Sequence, residues 1–490
     1  MSTIESHIQS DLPLDPLHVH VPGAVPLVVD LDGTLVHSDM LWEAIALFLK
    51  AHPLRAWQLV LWLFLGKAGF KARLAGAVEI DPAALPYDRA LLVHIAAERA
   101  QGRAIILATG SQRRFADRIA GHLGLFEQVL ATDEAVNLTS HNKASRLVAL
   151  YGHKGYDYIG NASVDIPVWR SSRTPYSVTD KPFELGDGRA TLQLGTRRTG
   201  WARPLLKAVR PRQWLKNLLV FVPMLTAHAL DAATALQSLV AFVAFSLCAS
   251  SAYLLNDALD AQDDRMHPTK HKRPIAAGAL PLSVALCASP MLAIAALALC
   301  ASYDVLLLLV VSVYFVSTLA YSVVLKRLLM VDIVVLALLY SMRILGGSAS
   351  THIEPSFWLL AFSFFIFLSL ALLKRHSELF NLHQQGKEKT RGRGYTTGDT
   401  VPVGIMGVNS AFLSVLIFML YFNSSAILVL YPHPEFLLGI VPLLVFWLGR
   451  LWVMSFRGEV NEDPVLHVSK DPASLSVIAA CVALAVAASY

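Results

Sequence analysis

At the end of one long apolar run the sequence reads Ser-Ser-Ala-Tyr-Leu-Leu-Asn256-Asp257-Ala-Leu-Asp260-Ala-Gln-Asp263-Asp264-Arg265, so a hydrophobic helix finishes in a dense group of carboxylates. Asn256, Asp257, Asp260 and Asp264 recur at i, i+3 or i+4, and i+7 or i+8. This spacing puts them on one face of a helix that continues past the apolar run. Carboxylates that close repel one another unless a hard divalent cation sits among them, and Mg2+ favours a few carboxylates together with substrate phosphate oxygens. A solvated acidic helix end is the plain alternative, but the helix dipole disfavours anions at a C-terminus. Directly downstream, His267-Pro-Thr-Lys270-His-Lys272-Arg273-Pro-Ile-Ala-Ala-Gly278 sets cations beside the acids, as a polyphosphate would require. A second group lies near the start. Pro26-Leu-Val-Val-Asp30-Leu-Asp32-Gly33-Thr34 is an apolar strand running into two aspartates and a glycine turn, a pattern that is only suggestive by itself.

The elements that must carry these groups differ between the two halves of the chain. Over 490 residues, 55% are hydrophobic and 16% charged, too apolar for a soluble protein of this length. The four cysteines sit in apolar runs without paired spacing, which argues against a disulfide framework or a thiolate metal site. Met1 to Pro22 is polar and lacks the basic start and apolar stretch of a signal peptide. Up to about Thr199, short β-rich runs alternate with helical patterns, as in a water-soluble α/β domain. After Trp201, apolar runs of about 20 residues recur. They are placed near 214–230, 234–255, 280–300, 303–322, 329–349, 356–373, 404–422, 435–454 and 473–490, about nine spans by that length criterion. Residues 173–202, rich in Pro, Gly, Ser and charge, read as a linker or a final hairpin of the first domain.

Alternate loops are basic: Arg265 to Arg273, Lys326 and Arg327, then Lys374, Arg375, Lys387, Lys389, Arg391 and Arg393, and finally Arg457 and Lys470. Ala229 to Ala233 and Ser350 to Ser356 hold no Lys or Arg. The positive-inside rule then puts the basic loops and the N-terminal domain in the cytosol, and an odd span count leaves the C-terminus outside.

Asn256, Asp257, Asp260 and Asp264 fill every specified position of N-D-x-x-D-x-x-x-D, and in this the chain resembles the UbiA superfamily of intramembrane prenyltransferases. Further stretches resemble its polyprenyl-phosphate phosphoribosyltransferase branch, typified by decaprenyl-phosphate phosphoribosyltransferase. They are Arg210-Pro-Arg212-Gln-Trp-Leu-Lys216-Asn217, His267 to Gly278, Tyr321 to Arg327 followed by Asp332, Lys374-Arg375-His-Ser-Glu378 and Arg393-Gly-Tyr395. Prenyl-diphosphate users usually carry a second D-x-x-x-D motif. Here that loop reads Lys374-Arg375-x-x-Glu378, and its basic residues favour a donor with an extra phosphate, such as phosphoribosyl diphosphate. The resemblance implies Mg2+ on Asp257, Asp260 and Asp264. It implies substrate contacts from Asn256, Lys270, Lys272, Arg273, Lys326, Arg327, Lys374, Arg375 and Glu378, with polyprenyl phosphate as the acceptor.

The Asp30 strand, followed in order by Ala104-Ile-Ile-Leu-Ala-Thr109-Gly110-Ser111, Lys143 and Tyr158-Ile-Gly160-Asn161-Ala-Ser-Val-Asp165, resembles the haloacid dehalogenase superfamily. Singly, Lys143 reads as a surface lysine and Thr109 as a turn residue. Together the resemblance implies Asp30 as nucleophile, Asp32 as general acid and base, Thr109 on the phosphoryl group and Lys143 balancing its charge. The implied Mg2+ set is Asp30, Asp32, Asn161 and Asp165, with Asn161 where the family often has an aspartate. Between Asp39 and Arg103, Ala56-Trp-Gln-Leu-Val-Leu-Trp-Leu-Phe-Leu-Gly66 followed by Lys67, Lys71 and Arg73 is too short to span. It reads as a helical cap, either resting on a bilayer surface or buried within the domain.

The expected architecture is therefore a Rossmann-like α/β phosphatase domain with a helical cap at 24–172, a linker at 173–202, and an all-α membrane domain at 203–490. The combined expectation is a Mg2+-dependent enzyme of the inner membrane that joins 5-phosphoribosyl to polyprenyl phosphate, releases diphosphate and removes the 5-phosphate, for cell-envelope glycan synthesis. Prenyl transfer to an aromatic acceptor, or an assembly factor with a degenerate phosphatase, are the rival readings. No nucleic-acid partner is expected, and a homo-oligomer is left open.

Overall fold

The computed structural model describes all residues except 1–24, 134–136, 198–199, 389–392, 422–426, 428–429, 461–463 and 490. The N-terminal polar stretch, Lys389 and Arg391 thus lie outside the described residues. The chain divides into two compact units, one built from residues up to Thr199 except Leu49–Pro53, and the other from Leu49–Pro53 together with the residues from Gly200 on.

In the first unit six parallel strands form one sheet in the order β3-β2-β1-β4-β5-β6. They are β1 (Leu27–Val29), β2 (Ile105–Gln112), β3 (Gln128–Thr132), β4 (Asp157–Gly160), β5 (Pro175–Thr179) and β6 (Leu192–Arg197). Strand β1 is fully buried: Leu27 and Val29 join the core on one face of the sheet and Val28 the core on the other. A parallel sheet covered on both faces requires such unbroken apolar runs. The helices are α1 (Met40–Ala51), α2 (Trp57–Leu63), α3 (Gly66–Ala77), α4 (Arg89–Ala100), α5 (Arg113–Leu123), α6 (Ser140–Tyr151) and α7 (Ile166–Ser171). Residues 173–199, expected as a linker or hairpin, instead supply β5 and β6, which pair in parallel and extend the sheet beyond β4. Tyr176 and Val178 pack into the core, and Pro175 is tolerated because it opens the strand.

The second unit is helical: α8 (Ala202–Ala208), α9 (Val222–Thr226), α10 (Ala232–Leu259), α11 (Ala261–Arg265), α12 (Leu282–Tyr303), α13 (Val305–Val323), α14 (Val331–Thr351), α15 (Phe357–Gln384), α16 (Thr400–Tyr421), α17 (Ile440–Phe456) and α18 (Pro472–Ser489). Among the described residues eight helices are long and apolar enough to cross a membrane, against about nine expected. The expected first span is built differently. Pro211–Phe221 is an 11-residue 3-10 helix that runs into the five-residue α9. At about 2.0 Å per 3-10 residue and 1.5 Å per α residue, this segment still covers roughly 30 Å, about the thickness of a hydrocarbon core. It runs antiparallel to α10, with Trp214 Nε1 donating to Ser250 Oγ at 3.0 Å and Asn217 Nδ2 to Ser246 Oγ at 3.0 Å. Gly347 of α14 lets it pack closely, since a Cβ there would lie 1.9 Å from the Val220 carbonyl oxygen.

Candidate active sites

In the first unit the chemistry sits at the C-terminal ends of β1, β2 and β4, where the strand order reverses and an open parallel sheet leaves a crevice. Asp30 follows β1, Thr109 lies on β2 beside it, Lys143 on α6, and Asn161 and Asp165 follow β4. Lys143 Nζ donates to Asp30 Oδ1 at 2.6 Å and to the Tyr158 hydroxyl at 2.9 Å, and that hydroxyl donates to Asp165 Oδ1 at 2.8 Å. The Thr34 hydroxyl lies 3.3 Å from Asp30 Oδ2 and 3.2 Å from Asn161 Oδ1, which draws that amide oxygen toward the nucleophile position. Asp32 accepts from Ser111 Oγ at 2.6 Å, Thr109 Oγ1 at 3.2 Å and the Met40 N–H at 2.8 Å. Gly33 adopts φ +75°, and a Cβ there would meet Asn161 Nδ2 at 2.3 Å, so the turn has room for glycine alone.

Burial pushes the Asp30 carboxyl up to about 7 in spite of Lys143, with Asp165 and Asp32 adding to the rise. Burial and the charge of Asp39 carry Asp32 to about 6, which suits a group that gives up and takes a proton. Among the described residues only Lys143 forms ion pairs with Asp30, Asp32 or Asp165. Asp30 and Asp165 share this one ion-paired lysine, and a hard divalent ion on Asp30, Asp165 and the Asn161 oxygen fits that donor set. All the residues singled out here from the sequence converge. Tyr158 and Ser111, which stood inside the quoted motifs, emerge as further members of the network.

In the second unit the acids meet basic side chains. Asp257 and Asp264 are buried, at 3% exposure each. Arg273 Nη1 bridges them, 2.9 Å from Asp257 Oδ1 and 2.7 Å from Asp264 Oδ2. Arg210, held at φ 54°, places Nη2 2.6 Å from both Asp257 oxygens. Asp260 stands apart, with Lys326 3.3 Å from its Oδ2. The expectation of one continuous helical face is corrected here: α10 stops at Leu259 and α11 restarts at Ala261, so Asp260 turns to a different partner. Among the described residues no group of three His, Cys, Asp or Glu side chains is arranged to hold a metal ion. A cation position nevertheless exists between Asp257 and Asp264, and a guanidinium fills it. Burial, aided by the neighbouring Asp257, raises the Asp264 carboxyl even beside Arg273. The pair therefore has the chemistry to accept a divalent cation.

The other expected substrate contacts divide. Asn256, Lys270 and Lys374 are half-buried, and Lys272 and Arg327 are exposed. Arg375, fully buried, ion-pairs with the equally buried Asp332 and with Glu378, and Arg393 adds a 3.1 Å contact to Glu378. The Tyr395 hydroxyl donates to Asp332 Oδ1 at 2.7 Å and accepts from the Met330 N–H at 2.9 Å. Arg375 and Glu378 are thus engaged by the protein itself. The sequence reading gave no role to Arg210 in the acid cluster, although its motif was visible.

Residues 218–466 match the model of the UbiA prenyltransferase family, and residues 27–170 match that of haloacid dehalogenase-like hydrolase. The chain is 34% identical over 457 residues to uncharacterized protein y4nM of Sinorhizobium fredii, an alignment covering 92% of this chain and 88% of that protein. Nodulation protein NoeC of Azorhizobium caulinodans is 32% identical over 276 residues, 56% of this chain and 89% of the relative. Decaprenyl-phosphate phosphoribosyltransferase of Mycolicibacterium smegmatis is 42% identical over 180 residues, 36% of this chain and 57% of the relative. The eight apolar helices, the acid cluster at the end of α10 and these matches converge: the chain belongs to the UbiA prenyltransferase family and carries a haloacid dehalogenase-like domain ahead of its membrane unit.

Proposed function

We propose that the membrane unit transfers the 5-phosphoribosyl group from phosphoribosyl diphosphate to polyprenyl phosphate, and that the first unit then removes the 5-phosphate to give polyprenyl-phosphate ribose for envelope glycans. The observation that carries this reading is the cation position between Asp257 and Asp264, ringed by Arg210 and Arg273. Identity to a relative named for that transfer supports it.

In the transfer, an oxygen of the lipid phosphate attacks ribose C1 as the bond from C1 to the diphosphate breaks. The nucleophile is already an anion, so no strong base is needed. Mg2+ held by Asp257 and Asp264 would neutralise the leaving diphosphate. Arg210, Arg273 and Lys326 supply the surrounding positive charge. In the hydrolysis, Asp30 attacks the phosphorus while protonated Asp32 gives its proton to the departing ribose oxygen. Asp32 then takes a proton from the water that frees Asp30. Lys143 offsets the phosphoryl charge, and Mg2+ on Asp30, Asn161 and Asp165 would lower the cost of bringing two anions together. The basic loops support a cytosolic position for both sites at the inner membrane.

The test uses full-length protein in membranes with labelled phosphoribosyl diphosphate and polyprenyl phosphate, the products read by mass spectrometry. Wild type yields the dephosphorylated ribosyl lipid, Asp30→Asn accumulates the 5-phosphorylated lipid, and Asp257→Asn yields neither. Full transfer by Asp257→Asn, or no phosphorylated lipid from Asp30→Asn, overturns the proposal.

A further inference from the structure

The cap of the first unit exposes what a soluble domain would hide. Within α2 no residue is fully buried. Leu59 and Trp62 pack inward, Trp62 against Phe48 with ring centroids 5.1 Å apart. The side chains around them point out: Leu54 is 91% exposed and Phe64 84%, and Trp57, Val60, Leu61 and Leu63 are each more than half exposed. Single apolar residues on a surface are ordinary, but a run of them within a dozen positions marks an interaction site. Burial inside the domain, one of the two expectations for this segment, is thereby excluded.

Charge identifies the occupant. Between Glu43 and Glu79 the sequence contains no acidic residue, while Arg55, Lys67 and Arg73 are exposed around the apolar face. Lys71 is the exception among the expected basic flank, since its Nζ turns inward to the Gly110 carbonyl oxygen at 2.7 Å. An apolar patch on a segment whose exposed charged residues are all basic matches an anionic lipid surface, where acyl chains take the apolar side chains and phosphates take the cations. Among the described residues the same chain carries eight helices long and apolar enough to cross a membrane, so a bilayer is within covalent reach of this unit. We propose that α2 and its flanks dock the phosphatase unit onto an anionic bilayer surface, with Leu61, Leu63 and Phe64 entering the headgroup boundary. The docking stands apart from the hydrolase reading and is measured without turnover.

The experiment places p-benzoylphenylalanine at Leu61 or at Phe64 of the full chain, in nanodiscs containing phosphatidylglycerol. The control position is Leu150, which is 41% exposed on α6, a helix whose Leu147 joins the core containing Val28 of β1. After irradiation, peptide mass spectrometry should show lipid adducts at both cap positions at least tenfold above those at Leu150. The adducts should fall several-fold in nanodiscs of phosphatidylcholine alone. Cross-links to this chain's own peptides or to a second copy, adducts at the Leu150 level, or equal yields in neutral and anionic lipid each overturn the proposal. Two independent positions guard against one variant that misfolds.

Discussion

If Asp257 and Asp264 hold a divalent ion as proposed, Arg273 occupies its place, and removing it should change metal and substrate affinity in opposite directions. In Arg273→Gln the 2.9 and 2.7 Å contacts to Asp257 and Asp264 are lost, and Arg210 remains as the cation on Asp257. Unit charges about 4 Å apart interact by roughly 4 kcal/mol at an effective dielectric of 20. Arg273 is 26% exposed, so solvent discounts that figure, and a net change of about 1.5–3 kcal/mol per site is reasonable. This corresponds to roughly 10- to 100-fold tighter binding of a divalent cation to the acids when substrate is absent. The diphosphate, by contrast, loses a cationic contact and binds more weakly. Mn2+ binding to the full chain in nanodiscs, followed by electron paramagnetic resonance, gives the first quantity, and the KM for phosphoribosyl diphosphate gives the second. Mn2+ affinity that is unchanged or weaker in Arg273→Gln would refute the idea that the guanidinium stands in the cation position. A conservative Arg273→Lys should fall between wild type and Arg273→Gln on both measures.

Arg375→Met strips the buried Asp332 of its cation and should cost about 3–5 kcal/mol in detergent denaturation, while Arg375→Met with Asp332→Leu recovers most of that loss. If the double variant is as unstable as the single one, or is stable but has lost donor binding more than tenfold, Arg375 is not a structural latch. Burial alone would raise the Asp157 carboxyl, yet hydrogen bonds from Arg173 and the charge of Arg103 hold it below the usual carboxylate range. That stability is present above the unfolded value of about 4 and is lost as pH falls through the depressed folded value. Asp157→Asn should therefore weaken hydrogen-exchange protection of β1 and β4 at neutral pH, and the gap to wild type should close in acid; a gap equal at both ends contradicts the assignment. Gly347→Ala drives a methyl group into the Val220 carbonyl, and overpacking of this kind costs about 1–3 kcal/mol. Transfer should fall while hydrolysis of a soluble phosphomonoester is retained, and an equal loss of both would show a global defect.

Much of the first unit was legible because Asp30 and Asn161 directly follow buried strands and Thr109 lies near the end of another, and an apolar run stopping at an acid is a local signal. Such a run needs no long-range information: Leu27, Val28 and Val29 announce β1 by themselves. Strands β5 and β6 were hidden because Pro175 and the turn residues around Gly186 and Gly188 carry the composition of a linker. Only pairing to β4 turns that stretch into sheet. The membrane helices followed from length and hydropathy, whereas Pro211–Phe221 did not reveal its 3-10 winding. That winding is sustained by partners far away in sequence, such as Arg343, whose Nε donates to Asn217 Oδ1 at 2.8 Å.

The acids of the membrane site show where periodicity stops being informative. Spacing put Asp257, Asp260 and Asp264 on one face, an inference that assumed an unbroken helix. The break after Leu259 leaves Asp257 and Asp264 converging on Arg273 while Asp260 turns to Lys326. Which cation answers which acid depends on tertiary approach, since Arg210 reaches Asp257 across 47 positions and Lys326 reaches Asp260 across 66. Carboxylates cannot stand alone in a low-dielectric setting, and here Arg210, Arg273 and Lys326 compensate Asp257, Asp264 and Asp260. On the proposed reading, substrate and metal binding would exchange one set of ion pairs for another, without ever leaving the acids uncompensated.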